Sequence, residues 1–188
     1  MPLTSYEKSR ARLQAKTLRA EAALQNPAAN LELIHHFPAA QFRGKTIGAY
    51  WPIKNELDIR PLISALQAQG ETLALPAILR KHHPLEFRTY EPDTKLERGP
   101  HGTHQPPKSA AVLTPEIILL PLLAFTHDGE RLGYGGGYYD RTLASLRKTH
   151  DVFACGVAFA AQEAQSLPTE AHDMRLDGIL TEKEFRRF

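Results

Sequence analysis

The 188-residue chain carries a single cysteine, Cys155, so no internal disulfide framework can staple it. A lone thiol fits a reducing compartment, and the expected location is the cytoplasm. Long apolar runs are missing as well, and none approaches the roughly 20 residues of a membrane-spanning helix. The opening residues, MPLTSYEKSR, lack the apolar stretch of a secretory signal. Charge of one sign is scarce. With 23 Lys and Arg against 21 Asp and Glu, the net charge of +2 gives no argument for nucleic acid or an acidic membrane as partner. What is present is ordinary for a soluble globule, 42% hydrophobic and 23% charged residues. The length suits one domain that buries most of its apolar surface.

Thr4 and Glu7 are spaced as a capping box for a helix running to about Gln25, where Asn26-Pro27 breaks it. At about 100° per residue, Tyr6, Leu13, Ala20 and Leu24 fall on one side, the expected packing face. Lys8, Arg12 and Arg19 lie within about 40° of one another, with Lys16 a little further round. Such a basic stripe usually faces solvent. A short helix is expected over 27–36 and a buried strand over 45–51, followed by a loop with Glu56 and Asp58. Asp58 is placed to cap a helix to about Gln69, and with a strand over 72–76 the unit reads as a right-handed βαβ.

Leu85 to Tyr90 alternates like a half-buried strand near an edge. The stretch 91–115 is rich in Pro, Gly, His and Lys and reads as a long irregular loop. Strands are expected over 116–121, 152–159 and 177–182, with a helix to about His150 and Cys155 as core filler. The alternation predicts an α/β fold. It would be a single-domain three-layer sandwich with a mainly parallel central sheet and helices on both faces. N-terminal helices would cover 4–37 and the α/β core 45–182.

The densest chemical signal is RLGYGGGYYDR, residues 131–141, with four glycines in five positions. A glycine loop leading into a helix can turn bare N–H groups toward an anion. It lacks the Gly-Lys-[Ser/Thr] of a Walker loop and the spacing of a dinucleotide fingerprint. On residues alone a plain tight turn is an equal alternative. Arg131 can neutralise a phosphate, Asp140 can hold a magnesium ion, and the tyrosines offer flat faces to a heterocycle. His101 and His104 are spaced like metal ligands, but no Cys or spaced carboxylate joins them, and no zinc site is expected.

RLGYGGGYYDR, the upstream PLLAFTHDG, the NELD loop and the late LPTEAHDMRLDGILTE together resemble the 5-formyltetrahydrofolate cyclo-ligase family, from Lys8 to Glu182. The resemblance implies ATP-dependent closure of 5-formyltetrahydrofolate to 5,10-methenyltetrahydrofolate, with magnesium present. It implies ATP binding by Lys8 and Arg12 and by the loop Arg131, Leu132, Gly133, Tyr134, Gly135, Gly136, Gly137, Tyr138 and Tyr139. Folate binding would fall to Trp51 and Glu56 and to Tyr134 through Tyr138. Asp140 and Asp173 match the magnesium-linked carboxylates, and His172 is expected to order the loop beside Asp173. Arg131, Tyr138 and Asp140 are the expected catalytic residues.

The chain departs from the family at Ala11, where Leu is usual, and at Tyr134 and Gly136, where some relatives carry Arg and Lys. The second departure shifts the load onto backbone N–H groups and Arg131. A monomer with no nucleic-acid or membrane partner is expected. Two other readings remain open on the residues: a non-catalytic RNA-binding module, and a sugar-phosphate isomerase or acyl-CoA-related enzyme on a similar scaffold.

Overall fold

Alternation along the central strands sets the layers. Ile117 and Leu119 join one buried cluster, and their neighbours Ile118 and Leu120 join another on the opposite face. Leu73 and Leu75 likewise part from Ala74, and Cys155 and Val157 from Ala154. Strands buried on both faces read as continuous apolar runs, which is why these segments stand out in the sequence.

The computed structural model describes residues 3–188, with side chains from Tyr6 onward. The capping box at Thr4 lies outside the described side chains. In chain order come α1 (Leu3–Gln25), α2 (Ala29–His36), α3 (Ala39–Phe42), β1 (Ile47–Gly48), α4 (Arg60–Ala68), β2 (Leu73–Ala77) and β3 (Glu86–Thr89). Short strands β4 (Glu97–Arg98), β5 (His104–Gln105) and β6 (Val112–Leu113) precede β7 (Ile117–Pro121), β8 (Ala124–Thr126), β9 (Arg131–Leu132) and α5 (Tyr138–Leu146). The chain then forms β10 (Phe153–Val157), β11 (Glu163–Ala164), β12 (Gly178–Leu180) and β13 (Phe185–Arg187).

The main sheet has the order β13-β12-β10-β7-β1-β2-β3-β6. Its centre, β12 through β2, is parallel, and β13, β3 and β6 add antiparallel pairings at the two edges. Residues of α1, α2, α3 and α4 pack on one face, among them Ala22, Leu33, Phe42 and Leu62. Leu143 of α5 packs on the other. This is the expected α/β sandwich.

The strand expected over 116–121 is β7 of the main sheet, and the short strands β8 and β9 that follow it were not foreseen. Pro121 has no N–H with which to extend the ladder, and after it the chain turns into β8, which pairs with β9 and β11 in a separate three-stranded sheet. The stretch 91–115 is not structureless. It contains the β4–β5 hairpin and the edge strand β6, each too short to leave a period in the sequence. Buried Arg88 helps tie it down by donating to the Pro106 carbonyl at 3.0 Å. Strand β13 was not foreseen, and its Phe185 packs on Phe42 and Phe153. Finally, Asp58 is not the N-cap of α4, whose flanking residue is Ile59, although its Oδ1 accepts the Arg60 N–H at 3.0 Å.

The helix face of α1 is inverted relative to expectation. Tyr6, Leu13 and Leu24 are 63%, 70% and 84% exposed, whereas Lys8 and Arg19 are 5% and 2% exposed. Small Ala15 and Ala22 share the buried face and let the helix lie close. The partners of this face are loop carboxylates, amides and carbonyls as well as apolar groups. A buried cation costs several kcal/mol unless paired, and here Lys8 meets Glu170 and Asp173 while Arg19 has Glu56 at 4.0 Å and donates to Asn55. On urea or thermal unfolding, Leu13→Gln and Leu24→Gln should therefore shift stability by no more than about 0.5 kcal/mol. Arg19→Ala should cost about 3 kcal/mol, lowering the midpoint by about 6 to 12 °C. The reverse ranking would restore the apolar packing face.

Candidate active site

In an open α/β sheet, ligands bind beyond the carboxyl ends of parallel strands, where the strand order reverses. Here the chain proceeds from β1 to β2 on one side and from β7 to β10 and β12 on the other, so the reversal lies between β1 and β7. A cleft of about 490 Å³ opens there, lined by Tyr50 and Trp51 after β1, Pro76 in β2 and Pro121 at the end of β7. That volume is typical of a small-molecule site. Lys8, Arg12, Trp51, Glu56, all of 131–140 and Asp173 line it.

The glycine loop leaves β9 and enters α5. Gly133 offers its carbonyl to Arg12 Nε at 3.0 Å, and Gly136 offers its own to Arg141 Nη2 at 2.6 Å. Gly135 and Gly137 have φ of +99° and +65°, a region that side chains with a Cβ rarely enter. A Cβ on Gly135 would also come within 3.1 Å of Arg12 Cζ. The loop shape thus depends on glycine at these two positions.

Beside the loop lies an ion network. Arg131 Nη2 reaches Asp140 Oδ1 at 2.5 Å, and the same oxygen accepts the Met174 N–H at 3.0 Å. Arg131 is mostly buried, and its Nη1 has no hydrogen-bond partner among the described residues. Lys8 Nζ sits between Glu170 and Asp173 at 2.7 and 2.6 Å. Burial pulls the Lys8 ammonium down, but the hydrogen bonds it donates to Asp173 and Glu170 outweigh that and hold its pKa above the ordinary value. Burial pushes Asp173 up, yet Lys8 and the Glu170 N–H leave it below the usual carboxylate range.

Other lining residues are aromatic. Trp51 meets Tyr90 edge-on at 5.6 Å, with Arg60 over its face at 5.8 Å. Glu56 is almost fully enclosed and accepts the Ile53 N–H at 2.9 Å. Burial raises its pKa, against the pull of that N–H and of Arg19. Burial and the nearby Glu56 push the Tyr134 phenol up to about 12.

Several lining residues escaped the sequence. Glu170 stands in the same LPTEAHD run as Asp173, but nothing local announces that it shares Lys8. His101, Thr103 and His104 bring the 91–115 segment to the cleft rim, with the His101 ring 6.3 Å from Tyr138. The His172 side chain is 74% exposed with its Nε2 3.7 Å from Glu170 and 3.9 Å from Asp173, and Lys8 and the Glu170 N–H hold Asp173 by hydrogen bonds. Arg19, taken with the basic stripe, does not line the cleft.

Asp140 and Asp173 both line the cleft and carry oxygens of the kind a hard cation takes. Asp140 Oδ1 and Asp173 Oδ2 are committed to positioning bonds, which leaves Oδ2 of Asp140 and Oδ1 of Asp173. One or two carboxylates plus substrate phosphates is the usual magnesium environment. Ligand atoms of Glu170, His172 and Asp173 also lie within 4.8 Å of one another.

Fold and cleft define an α/β protein in which one cleft is lined by a glycine loop with basic side chains and by aromatic residues with a buried carboxylate. A sequence model of the 5-formyltetrahydrofolate cyclo-ligase family matches residues 4–182. The chain is 31% identical over 187 residues to the 5-formyltetrahydrofolate cyclo-ligase of Haemophilus influenzae, covering 95% of this chain and 99% of that one. The Escherichia coli K12 enzyme of the same name is 33% identical over 147 residues, or 72% and 77% of the two chains. A solved structure of the Aquifex aeolicus 5,10-methenyltetrahydrofolate synthetase aligns with a TM-score of 0.69 at 26% identity, covering 98% and 92%. The chain therefore belongs to the 5-formyltetrahydrofolate cyclo-ligase family, and it is a ligase.

Two glycine substitutions test whether the loop requires glycine at position 135. Gly135→Ala should lose about 1 to 2 kcal/mol on urea unfolding. Gly133→Ala, where a Cβ meets nothing within 4 Å, should stay within about 0.5 kcal/mol. Equal effects would mean that Gly135 is not conformationally required.

Proposed function

We propose that this enzyme closes 5-formyltetrahydrofolate to 5,10-methenyltetrahydrofolate at the expense of ATP, releasing ADP and phosphate. The observation that supports it best is that one cleft gathers two chemistries. Lys8, Arg12, Arg131 and the glycine backbone of 133–137 line it together with the side chains of Trp51, Tyr134 and Glu56. A nucleotide triphosphate suits the first and a reduced pterin the second. The reading includes a cytoplasmic monomer with no nucleic-acid or membrane partner.

An N-formyl carbon is a poor electrophile because the nitrogen lone pair is delocalised into the carbonyl. The formyl oxygen attacks the γ-phosphorus, the bond to ADP breaks, and the oxygen becomes part of a phosphate leaving group. N10 then attacks the formyl carbon and gives up its proton. The carbon–oxygen bond breaks, and phosphate departs with the former formyl oxygen. Such a reaction asks the protein mainly for positioning and charge neutralisation.

Lys8, Arg12 and the backbone N–H groups of 132–137 would hold the triphosphate. Arg131 would supply its unpartnered Nη1 to the transferring group. Tyr138, with His101 near its ring, would wall the reacting atoms from water. Asp140 and Asp173 would hold magnesium through their uncommitted oxygens. When bound, that ion supplies positive charge to the phosphate oxygens.

Purified protein should convert 5-formyltetrahydrofolate to the methenyl product with ATP and magnesium, followed by near-ultraviolet absorbance, and a chelator should stop it. Folded protein without turnover would refute the function. Asp140→Asn keeps an oxygen for Arg131 and Met174 but removes the charge. It should lower kcat about 100-fold with the melting midpoint within about 2 °C. Parental turnover would take Asp140 out of the metal role.

A further inference from the structure

Arg19 lies on the same helix face as Lys8 but points elsewhere. Its Nε and Nη2 donate to Asn55 Oδ1 at 3.1 and 2.6 Å, and its Nη1 lies 3.5 Å from the Leu122 carbonyl. These acceptors satisfy its hydrogens but not its charge. Among the described residues the carboxylate within ion-pair reach is Glu56, whose Oε1 lies 4.0 Å from Nη1. Both side chains are almost fully enclosed, at 2% and 4% exposure. The Arg19 guanidinium also lies 5.2 Å over the centre of the Tyr134 ring, which faces the cleft.

An enclosed carboxylate drifts toward its protonated form unless a cation answers it. The titratable groups around Glu56 are Arg19 from α1, Lys54 from its own loop, Tyr134 from the glycine loop, Tyr50 after β1 and Tyr139 in α5. The three phenols are neutral, and Lys54 is exposed and solvated. Arg19 is the buried positive charge of the set. The choice matters because a carboxylate accepts two N–H groups through two oxygens, whereas a carboxylic acid turns one oxygen into a donor.

We infer that Arg19 is a positioning residue for substrate recognition, holding Glu56 charged and aimed into the cleft. Glu56 can then accept paired N–H groups from the amino-oxo-pyrimidine ring of a reduced pterin. The inference rests on the proposed function, and it separates the roles along α1. Lys8 and Arg12 serve the nucleotide. Arg19, about 16 Å further along the helix axis than Lys8, serves the pterin from behind.

Trp51, the single tryptophan, lines the cleft and reports pterin binding by fluorescence independently of turnover. In Arg19→Gln, the KM and the dissociation constant for 5-formyltetrahydrofolate should both rise about tenfold or more at neutral pH. The KM for ATP should stay within about twofold. Without its counter-charge Glu56 holds a proton to higher pH, so binding by this variant should strengthen with rising pH more than the parent's does. Arg19→Lys keeps the charge and should recover most of the affinity and the parent's pH profile.

A role in folding alone would weaken both substrates alike at every pH. That result, or a parental folate KM in Arg19→Gln, would overturn the inference. A second measurement needs no variant: carbon-13 NMR of the Glu56 carboxyl in the parent should read as a carboxylate between about pH 6 and 8. A protonated Glu56 at neutral pH would also overturn it. Failure of the proposed function looks different. The parent would then neither turn over 5-formyltetrahydrofolate nor lose Trp51 fluorescence with it, while Glu56 would still titrate as a charged group.

Discussion

The docking of the basic face of α1 is the constraint on which the cleft depends. Lys8 joins Glu170 and Asp173, Arg12 holds the Gly133 carbonyl, and Arg19 joins Asn55 and Glu56. Three loops far apart in sequence are fixed by one helix. Such contacts are poor sources of stability, because desolvating each charge consumes much of what its pairing returns. They are good sources of geometry, since a misplaced helix would leave buried charges without partners. A cleft that gathers two chemistries requires that kind of specification more than it requires extra stability.

The sheet contributes the other half of the frame. Parallel strands whose order reverses between β1 and β7 leave a crevice that no connection crosses, and the loops after those strands turn into it. β1 pairs over only two residues and makes its last bond to β2 through the Ala49 N–H, so the chain beyond carries Tyr50, Trp51 and Glu56 to the cleft. Pro121 does the same for the other side by ending its ladder and sending the chain into the small sheet that presents the glycine loop. Short strands here are what bring the site residues to the opening.

Legibility followed the range of the interactions. The buried strands around Ile117–Pro121 and Phe153–Val157 were readable because double-sided burial makes continuous apolar runs. The gathering of 131–140, Glu56 and Asp173 at one cleft was foreshadowed by motifs that carry a family resemblance. The packing face of α1 was misread because periodicity assumes an apolar partner, and this helix docks on carboxylates and amides. Glu170 lies 162 positions from Lys8 and Asn55 lies 36 from Arg19, so no local pattern records either pairing. The short β4, β5 and β6 were missed because two residues cannot show a period.

The glycine loop lacks the lysine of phosphate-binding loops, and the arginines around it account for how it can do without one. A loop of bare peptide groups presents carbonyls as well as N–H groups, and carbonyls repel an anion. Arg12 takes the carbonyl of Gly133 and Arg141 that of Gly136, so two acceptors are already answered by cations. Arg131 sits at the loop's start with Asp140 balancing part of its charge. The electrostatic work of one mobile lysine is thus spread over fixed guanidinium groups and backbone donors. That arrangement gives up reach in exchange for rigidity.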